Sequence, residues 1–354
     1  MDEQAVIEIL SGERRDWTAF LLRRLTEIAE PFYWGSTAFR NALFQSGLKR
    51  MHRLDVPVLS VGNITTGGTG KTPVVAWLAG QLQQECSVGL LSRGYREMGE
   101  EGNDEYKVLK TILPDVPHLQ RQDRVSAGRE LIEQGAECLI LDDGFQHRRL
   151  ARDVDVVLID ATNPFGYGHC LPRGLLRESL AGLSRASAFL ITRSDLVSEA
   201  ALATIESQLQ RYSSASIWRT RFQPTALVNA LGKRQSLDAF REKGQSVALS
   251  FCGLGNPKAF VQSVTQLGLT MSKTRHHSYP DHHHYSLEDW SDITTQLSAC
   301  GEQSVGLTTL KDLVKLPRDH SLANRVYALE IELEFASEDE GAEFLHMVKS
   351  TRLR

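Results

Sequence analysis

The chain has 354 residues, 41% of them hydrophobic and 24% charged, and a net charge of −4. That length favours two domains over one, and the charge supplies no global field for nucleic acid. No apolar run approaches the roughly 20 residues of a membrane span, the acidic N-terminus does not read as a signal peptide, and Cys86, Cys138, Cys170, Cys252 and Cys300 are too scattered for a disulfide frame or zinc site.

Residues 1–55 are crowded with aromatics: Trp17, Phe20, Phe32, Tyr33, Trp34, Phe39 and Phe44. Arg23, Arg24, Arg40, Lys49, Arg50 and Arg53 surround them. Leu21, Leu22, Leu25 and Ile28 fit a helical stripe, which the pattern breaks at Pro31. Apolar bulk beside cations suits a helix lying among lipid headgroups. A helix pair packed on the core with solvated arginines fits the same residues.

The run Val56 to Val61 is short, apolar and β-branched, the pattern of a buried parallel strand. Gly62 to Thr72 follows, with glycines at 62, 67, 68 and 70, and then apolar residues at helical spacing from Pro73 to Leu82. Strand, glycine loop, Gly-Lys-Thr and helix form the order a P-loop needs. Backbone N–H groups can converge on phosphate oxygens, Lys71 can reach the β- and γ-phosphates, and Thr72 can hold Mg²⁺. The strict pattern would place its first glycine at position 65, which is Thr65.

Ser87 to Ser92 reads as a second strand, ending in Arg93-Gly94-Tyr95-Arg96. Cations at that end matter, because open α/β sheets bind ligands at the carboxyl ends of their strands. Glu97 to Lys107, holding Asn103-Asp104-Glu105, reads as an acidic surface loop, and a helix is expected over about 123–134. Cys138 to Leu141 is an apolar strand running into Asp142-Asp143-Gly144-Phe145-Gln146-His147. A carboxylate fixed at the end of such a strand can bind Mg²⁺ directly or through water.

Further strands are expected at 154–159, ending at Asp160, and at 188–192, ending in Arg193-Ser194-Asp195. Strands alternating with helices predict a doubly wound, mainly parallel sheet. Composition shifts near Pro224, which divides the chain into an N-terminal segment (1–55), a P-loop domain (56–224) and a smaller second α/β domain (225–354). The second unit reads as a strand at 247–251, a glycine turn, a helix from Lys258, and strands at 304–308 and 326–331. Its loop His276 to Tyr285 holds His276, His277, His282, His283 and His284. Neighbouring histidines on an irregular loop seldom converge on one ion, so a single catalytic histidine is the better reading of it.

These pieces, taken in order, resemble the tetraacyldisaccharide 4′-kinase family over roughly 31–316. The resemblance rests on Val61 to Thr65 leading into Gly67-Gly68-Thr69-Gly70-Lys71-Thr72-Pro73, on Ser92 to Tyr95, and on Asn103-Asp104-Glu105. It continues through Asp123-Arg124, Asp142 to His147, Leu171-Pro172-Arg173-Gly174 with Arg177-Glu178, Asp281-His282, and Thr309-Leu310-Lys311-Asp312. The displaced first glycine is itself a family feature. Two departures stand out: Tyr106 follows Asp104-Glu105 where the family has proline, and Leu310 replaces a glutamate.

The resemblance implies ATP- and Mg²⁺-dependent phosphorylation of the 4′-hydroxyl of an acylated glucosamine disaccharide, giving lipid IVA. It also implies a P-loop kinase domain and a second, smaller α/β domain with a cleft between them, and peripheral attachment to the cytoplasmic face of the inner membrane through residues 17–53. A P-loop kinase or ATPase acting on a soluble small molecule is the alternative. Thr65, Thr66, Gly67, Gly68, Thr69, Gly70, Lys71 and Thr72 are then the nucleotide site, and Thr72, Asp142, Asp143 and Glu178 the metal site. Arg93, Gln146, His147 and Arg177 are expected to contact the substrate. Asp104 would take the sugar hydroxyl proton, with His282 orienting it from the second domain, beside Lys71 at the transferring group.

Overall fold

The computed structural model describes residues 3–94, 102–254, 257–267, 269, 271–280, 283–301, 303–317 and 320–351. Two helices come first, α1 (Glu3–Ser11) and α2 (Trp17–Gln45). Strands and helices then alternate as β1 (Val58–Asn63), α3 (Lys71–Leu82), β2 (Val88–Ser92), α4 (Asp104–Ile112), β3 (His118–Gln120), α5 (Arg124–Glu133), β4 (Cys138–Asp142), β5 (Val154–Asp160), β6 (Ala188–Thr192) and α6 (Glu199–Gln210). The rest comprises β7 (Ser216–Asn229), β8 (Arg234–Ser236), α7 (Leu237–Glu242), β9 (Ser246–Cys252), α8 (Pro257–Gln266), β10 (Met271–Ser278), α9 (Leu287–Ala299), β11 (Ser304–Thr309), α10 (Leu310–Leu313), β12 (Val326–Phe335) and α11 (Glu338–Thr351).

Among the described residues the strands form one twelve-stranded sheet in the order β10-β9-β11-β12-β7-β6-β5-β1-β4-β2-β3, with β8 beside β7. Pairing is parallel except where β7 meets β12 and β8. Every residue of β1 is buried, as expected of a strand covered on both faces. The parallel run β6-β5-β1-β4-β2 brings Thr192, Asp160, Asn63, Asp142 and Ser92 to one edge.

The expected boundary near 224 falls inside a strand. Ser216 to Arg219 of β7 pair with β6, whereas Thr220 to Asn229 pair with β12, so the two halves share β7. Nor does the second half keep its own C-terminus. Antiparallel β12 runs back to the first half and delivers α11, whose Phe344 and Val348 are buried with Val61, Leu78 and Trp218. Trp77 packs against Phe335 and Phe344 at ring-centroid distances of 5.1 and 5.9 Å.

Two local expectations are corrected. The helix of residues 17–45 does not break at Pro31. Pro31 lies on an exposed side, where water can replace the lost hydrogen bond, and neighbouring turns are pinned from outside. Glu30 accepts from the Cys170 amide at 2.7 Å, and Tyr33 donates to the Arg177 carbonyl at 3.1 Å. The acidic stretch around Asp104 is helical because Asn103 caps it, accepting from the Tyr106 amide at 2.9 Å, and because Val108 and Leu109 bury one face.

Candidate active site

The loop after β1 is held from two sides. At its start, the Thr66 amide donates to Leu175 O at 2.7 Å and the Arg177 amide to Ile64 O at 2.8 Å. At its crest, Arg193 donates to Gly68 O at 2.9 Å and Thr192 Oγ1 to Thr69 O at 3.0 Å. Arg193 also pairs with Asp160 and lies 5.7 Å over the Phe222 ring. Gly70 caps α3 with φ 88°, and a Cβ there would stand 2.1 Å from Phe222 Cζ. Only glycine accepts that backbone against that ring.

Lys71 begins α3. Its Nζ donates to Asn63 Oδ1 at 3.4 Å and lies 3.6 Å from Asp143 Oδ1. Arg177 grips Asp143 with two hydrogen bonds of 2.6 and 3.0 Å. Asp143 itself sits in the left-handed region at φ 52°, a conformation that side chain clamps can hold. Burial alone would raise its carboxyl, but Lys71 and Arg177 outweigh burial and hold it at about 2. Asp142 goes the other way. Burial pushes its carboxyl up, Glu105 adds to the rise, and Lys71 opposes it.

Asp142 Oδ1 is buried with no hydrogen-bond partner among the described residues. An acceptor left in that state costs free energy until something meets it. A carboxylate, its neighbour Asp143 and the Thr72 hydroxyl are hard oxygen donors, so the residues fit Mg²⁺. Arg124, 4% exposed, likewise has Nε and Nη2 buried without partners. The guanidinium acts electrostatically on both aspartates and on His147, making it an anion-binding candidate that motif reading did not assign.

Glu178, expected near the metal, is only 1% exposed and does not line the cavity. It accepts from Asn41 at 2.8 Å, Gln146 at 3.2 Å and Arg185 at 2.8 Å. Gln146 also donates to Asn63 O at 3.0 Å, so the two side chains link the end of β1 to Asn41 of α2. His147 is held down at about 4, chiefly by burial and then by Arg124, which keeps it neutral, and its Nε2 has no hydrogen-bond partner among the described residues. Arg93 lines the cavity at the end of β2.

That cavity has a volume of about 2150 Å³. A pocket for one small ligand spans roughly 300–1,000 Å³, so there is room for a nucleotide and a second large substrate. Thr65 to Pro73, Asp142 and Asp143 line it from one half, and Tyr285, Thr309, Lys311 and Lys315 from the other. Asp104 lines it at the start of α4, with Lys315 Nζ 2.9 Å from its Oδ2. Val6, Ile7 and Leu10 of α1 form an apolar stretch of the wall. His282 lies outside the described residues. Its neighbours take separate partners: His276 bonds Ser250, His277 bonds Gln296 and His283 bonds Asp289.

Beside α1, helix α2 exposes Trp17, Leu21, Leu25, Ile28, Phe32 and Phe39 along one stripe. Trp34 is 50% and Phe39 68% exposed, so these two are not core residues. Among the described residues, no helix is long and apolar enough to cross a membrane.

A P-loop at the centre of a mainly parallel sheet, with an aspartate pair at the neighbouring strand end and a shared cavity, defines a P-loop phosphotransferase. The comparisons narrow the class. A model of the family described as tetraacyldisaccharide-1-P 4′-kinase, LpxK, matches residues 22–349, and the chain belongs to that family. A tetraacyldisaccharide 4′-kinase of Halothermothrix orenii is 33% identical, with 94% of each chain covered. One of Syntrophus aciditrophicus is 36% identical, with 91% of each covered. The solved structure of LpxK from Aquifex aeolicus in complex with ATP matches at a TM-score of 0.76 and 28% identity, covering 94% of this chain and 99% of that one.

Proposed function

We propose that the chain transfers the γ-phosphoryl group of ATP to the 4′-hydroxyl of an acylated glucosamine disaccharide 1-phosphate, giving lipid IVA. The observation that carries this reading is a large cavity shared by the P-loop, Asp142 and Asp104 and walled on one side by apolar residues of α1. Thr65 to Gly70 cradle the phosphates, and Lys71 offsets the charge that spreads over the transferring group. Arg177 holds Asp143 in place.

Thr72, Asp142 and Asp143 would hold Mg²⁺. When bound, the ion neutralises phosphate charge and helps align the γ-phosphoryl group. Asp104 takes the proton of the attacking hydroxyl, and His282 orients it. Arg93, which lines the cavity, contacts the disaccharide and its phosphate; Arg124 and His147 are not among the lining residues and act on the site electrostatically, while Gln146 and Glu178 keep the end of β1 in place. The exposed stripe of α2, with the exposed Arg24 and Lys49 nearby, rests in the headgroup layer of the cytoplasmic face of the inner membrane, so that the acyl chains reach the cavity past α1.

The test is a label-transfer assay with radiolabelled ATP, Mg²⁺ and the acylated disaccharide in detergent. Labelled lipid product supports the reading. Turnover with soluble sugars but none with the lipid would overturn it in favour of a soluble acceptor.

A further inference from the structure

Among the described residues, two ion pairs join the halves across the cavity. Glu105 of α4 accepts from Lys311 at 3.2 Å, and Asp104 pairs with Lys315 at 2.9 Å. The two differ in solvation. Lys311 and Glu105 side chains are 26% and 33% exposed, in the range where ion pairs contribute little. Lys315 and Asp104 are 9% and 15% exposed. An ammonium so far out of water must be matched by partners.

Lys315 has them. Its Nζ lies 3.6 Å from Asp312 Oδ1, donates to the His283 carbonyl at 3.1 Å, and stands 6.0 Å from the centre of the Tyr285 ring. Asp312 is fully buried and fixed in turn, accepting from the Gly253 amide at 3.0 Å and the Thr309 hydroxyl at 2.6 Å. The cation is therefore anchored to the second half, while the carboxylate it meets belongs to the first.

We propose that Lys315 is a positioning residue for Asp104, aiming that carboxylate into the cavity only while the two halves are in contact. This rests on the reading of Asp104 as the group that deprotonates the acceptor. With its ammonium held by Asp312 and the His283 carbonyl, Lys315 grips one carboxylate oxygen of Asp104 and so sets the direction in which the group faces the cavity. When the halves part, the carboxylate loses that constraint, so proton abstraction is confined to the closed, substrate-filled cavity. Facing Asp104 from the second half are Lys315, Lys311 and Asp312. Glu105 and Lys107 share its helix, and Lys71, Asp142 and Asp143 stand across the cavity, whose lining also includes Arg93 and His284. Of these, Lys315 gives Asp104 an ion pair at hydrogen-bond distance.

The experiment records turnover against pH, with ATP, Mg²⁺ and the acylated disaccharide in detergent, for the intact chain, Lys315→Met, Lys315→Arg, Asp104→Asn and the Asp104→Asn/Lys315→Met double variant. Losing a cation beside a carboxylate disfavours its charged form, so its pKa rises. Lys315→Met should therefore shift the acid limb about one pH unit or more upward and slow turnover roughly 10- to 100-fold, with ATP binding retained. Lys315→Arg should return the limb toward its original position. The double variant should be no slower than Asp104→Asn, because the lysine acts through that carboxylate.

An unmoved acid limb in Lys315→Met, or multiplied losses in the double variant, would overturn the proposal and leave a purely structural ion pair. If Lys315→Met does not fold, Lys315→Gln, which keeps a donor without the charge, gives the same readout. Near-normal turnover in Asp104→Asn would instead refute the base assignment, whatever Lys315 does.

Discussion

Gly70→Ala tests how tightly the phosphate loop is built. At φ 88° an alanine is in the left-handed region, at a cost of about 1–2 kcal/mol. Its Cβ would lie 2.1 Å from Phe222 Cζ and 2.5 Å from Cε2, so the ring or the loop must move. Overpacking of this kind costs roughly 1–3 kcal/mol. Phe222 is half-buried and borders the cavity, so part of the clash is relieved by ring movement. A net cost of about 2–3 kcal/mol, expressed as misplaced amides, weakens ATP binding roughly 30- to 150-fold. Calorimetric titration with ATP reads it directly. Gly68→Ala is the comparison: a Cβ there meets no atom within 4 Å, so it should bind better than Gly70→Ala. Adding Phe222→Ala to Gly70→Ala should recover the steric share and leave about a tenfold loss from the backbone. Unchanged affinity in Gly70→Ala, or no recovery in the double variant, would refute the packing argument.

Other outcomes follow from the same geometry. Lys71→Ala should lower turnover by about two to three orders of magnitude in a folded protein, because Arg177 is committed to Asp143 and does not replace the lost cation; near-normal turnover would refute the P-loop assignment. Replacing Trp34 and Phe39 by Ser should weaken co-sedimentation with anionic liposomes while leaving ATP binding intact, and unchanged co-sedimentation would remove α2 as the membrane contact. His118, buried against Ser92 Oγ at 2.9 Å, is held down at about 4 from an ordinary 6.5, mainly by burial. The unfolded chain therefore takes up a proton that the folded one refuses, and stability falls as pH drops from 6.5 toward 4, by at most about 3 kcal/mol. Urea midpoints should show that slope, and His118→Gln should lessen it, leaving the share that His147 contributes over the same window.

Much of this site is legible in the chain because its parts are local. A buried strand, a glycine loop and a Gly-Lys-Thr step are consecutive, as are the strand and aspartates ending at Asp143. Their periodicity and turn chemistry are visible without tertiary information. What is hidden depends on chain returning from far away. Nothing near Gly70 announces Phe222, and nothing near Asp104 announces Lys315. Phe344 and Val348 look like the end of a second domain, yet antiparallel β12 carries them into the first core. Glu178 reads as an acid near a metal motif, but Asn41 and Arg185, distant or unremarkable in sequence, occupy its oxygens. Arg124 follows Asp123 in a recognisable motif, but its significance emerges only from Nε and Nη2, buried without a hydrogen-bond partner among the described residues. The Pro31 break is a correct local rule overridden by contacts of Glu30 and Tyr33.

The central claim is that one cavity brings ATP to the 4′-hydroxyl of a lipid disaccharide. The most direct measurement compares label transfer from ATP to the acylated disaccharide 1-phosphate with transfer to its 4′-deoxy analogue, in the same detergent. The account predicts labelled product from the first, with the phosphate on the 4′ oxygen by phosphorus NMR, and none from the second. Equal labelling of both acceptors, or labelling of neither by an enzyme that still binds ATP, would contradict it.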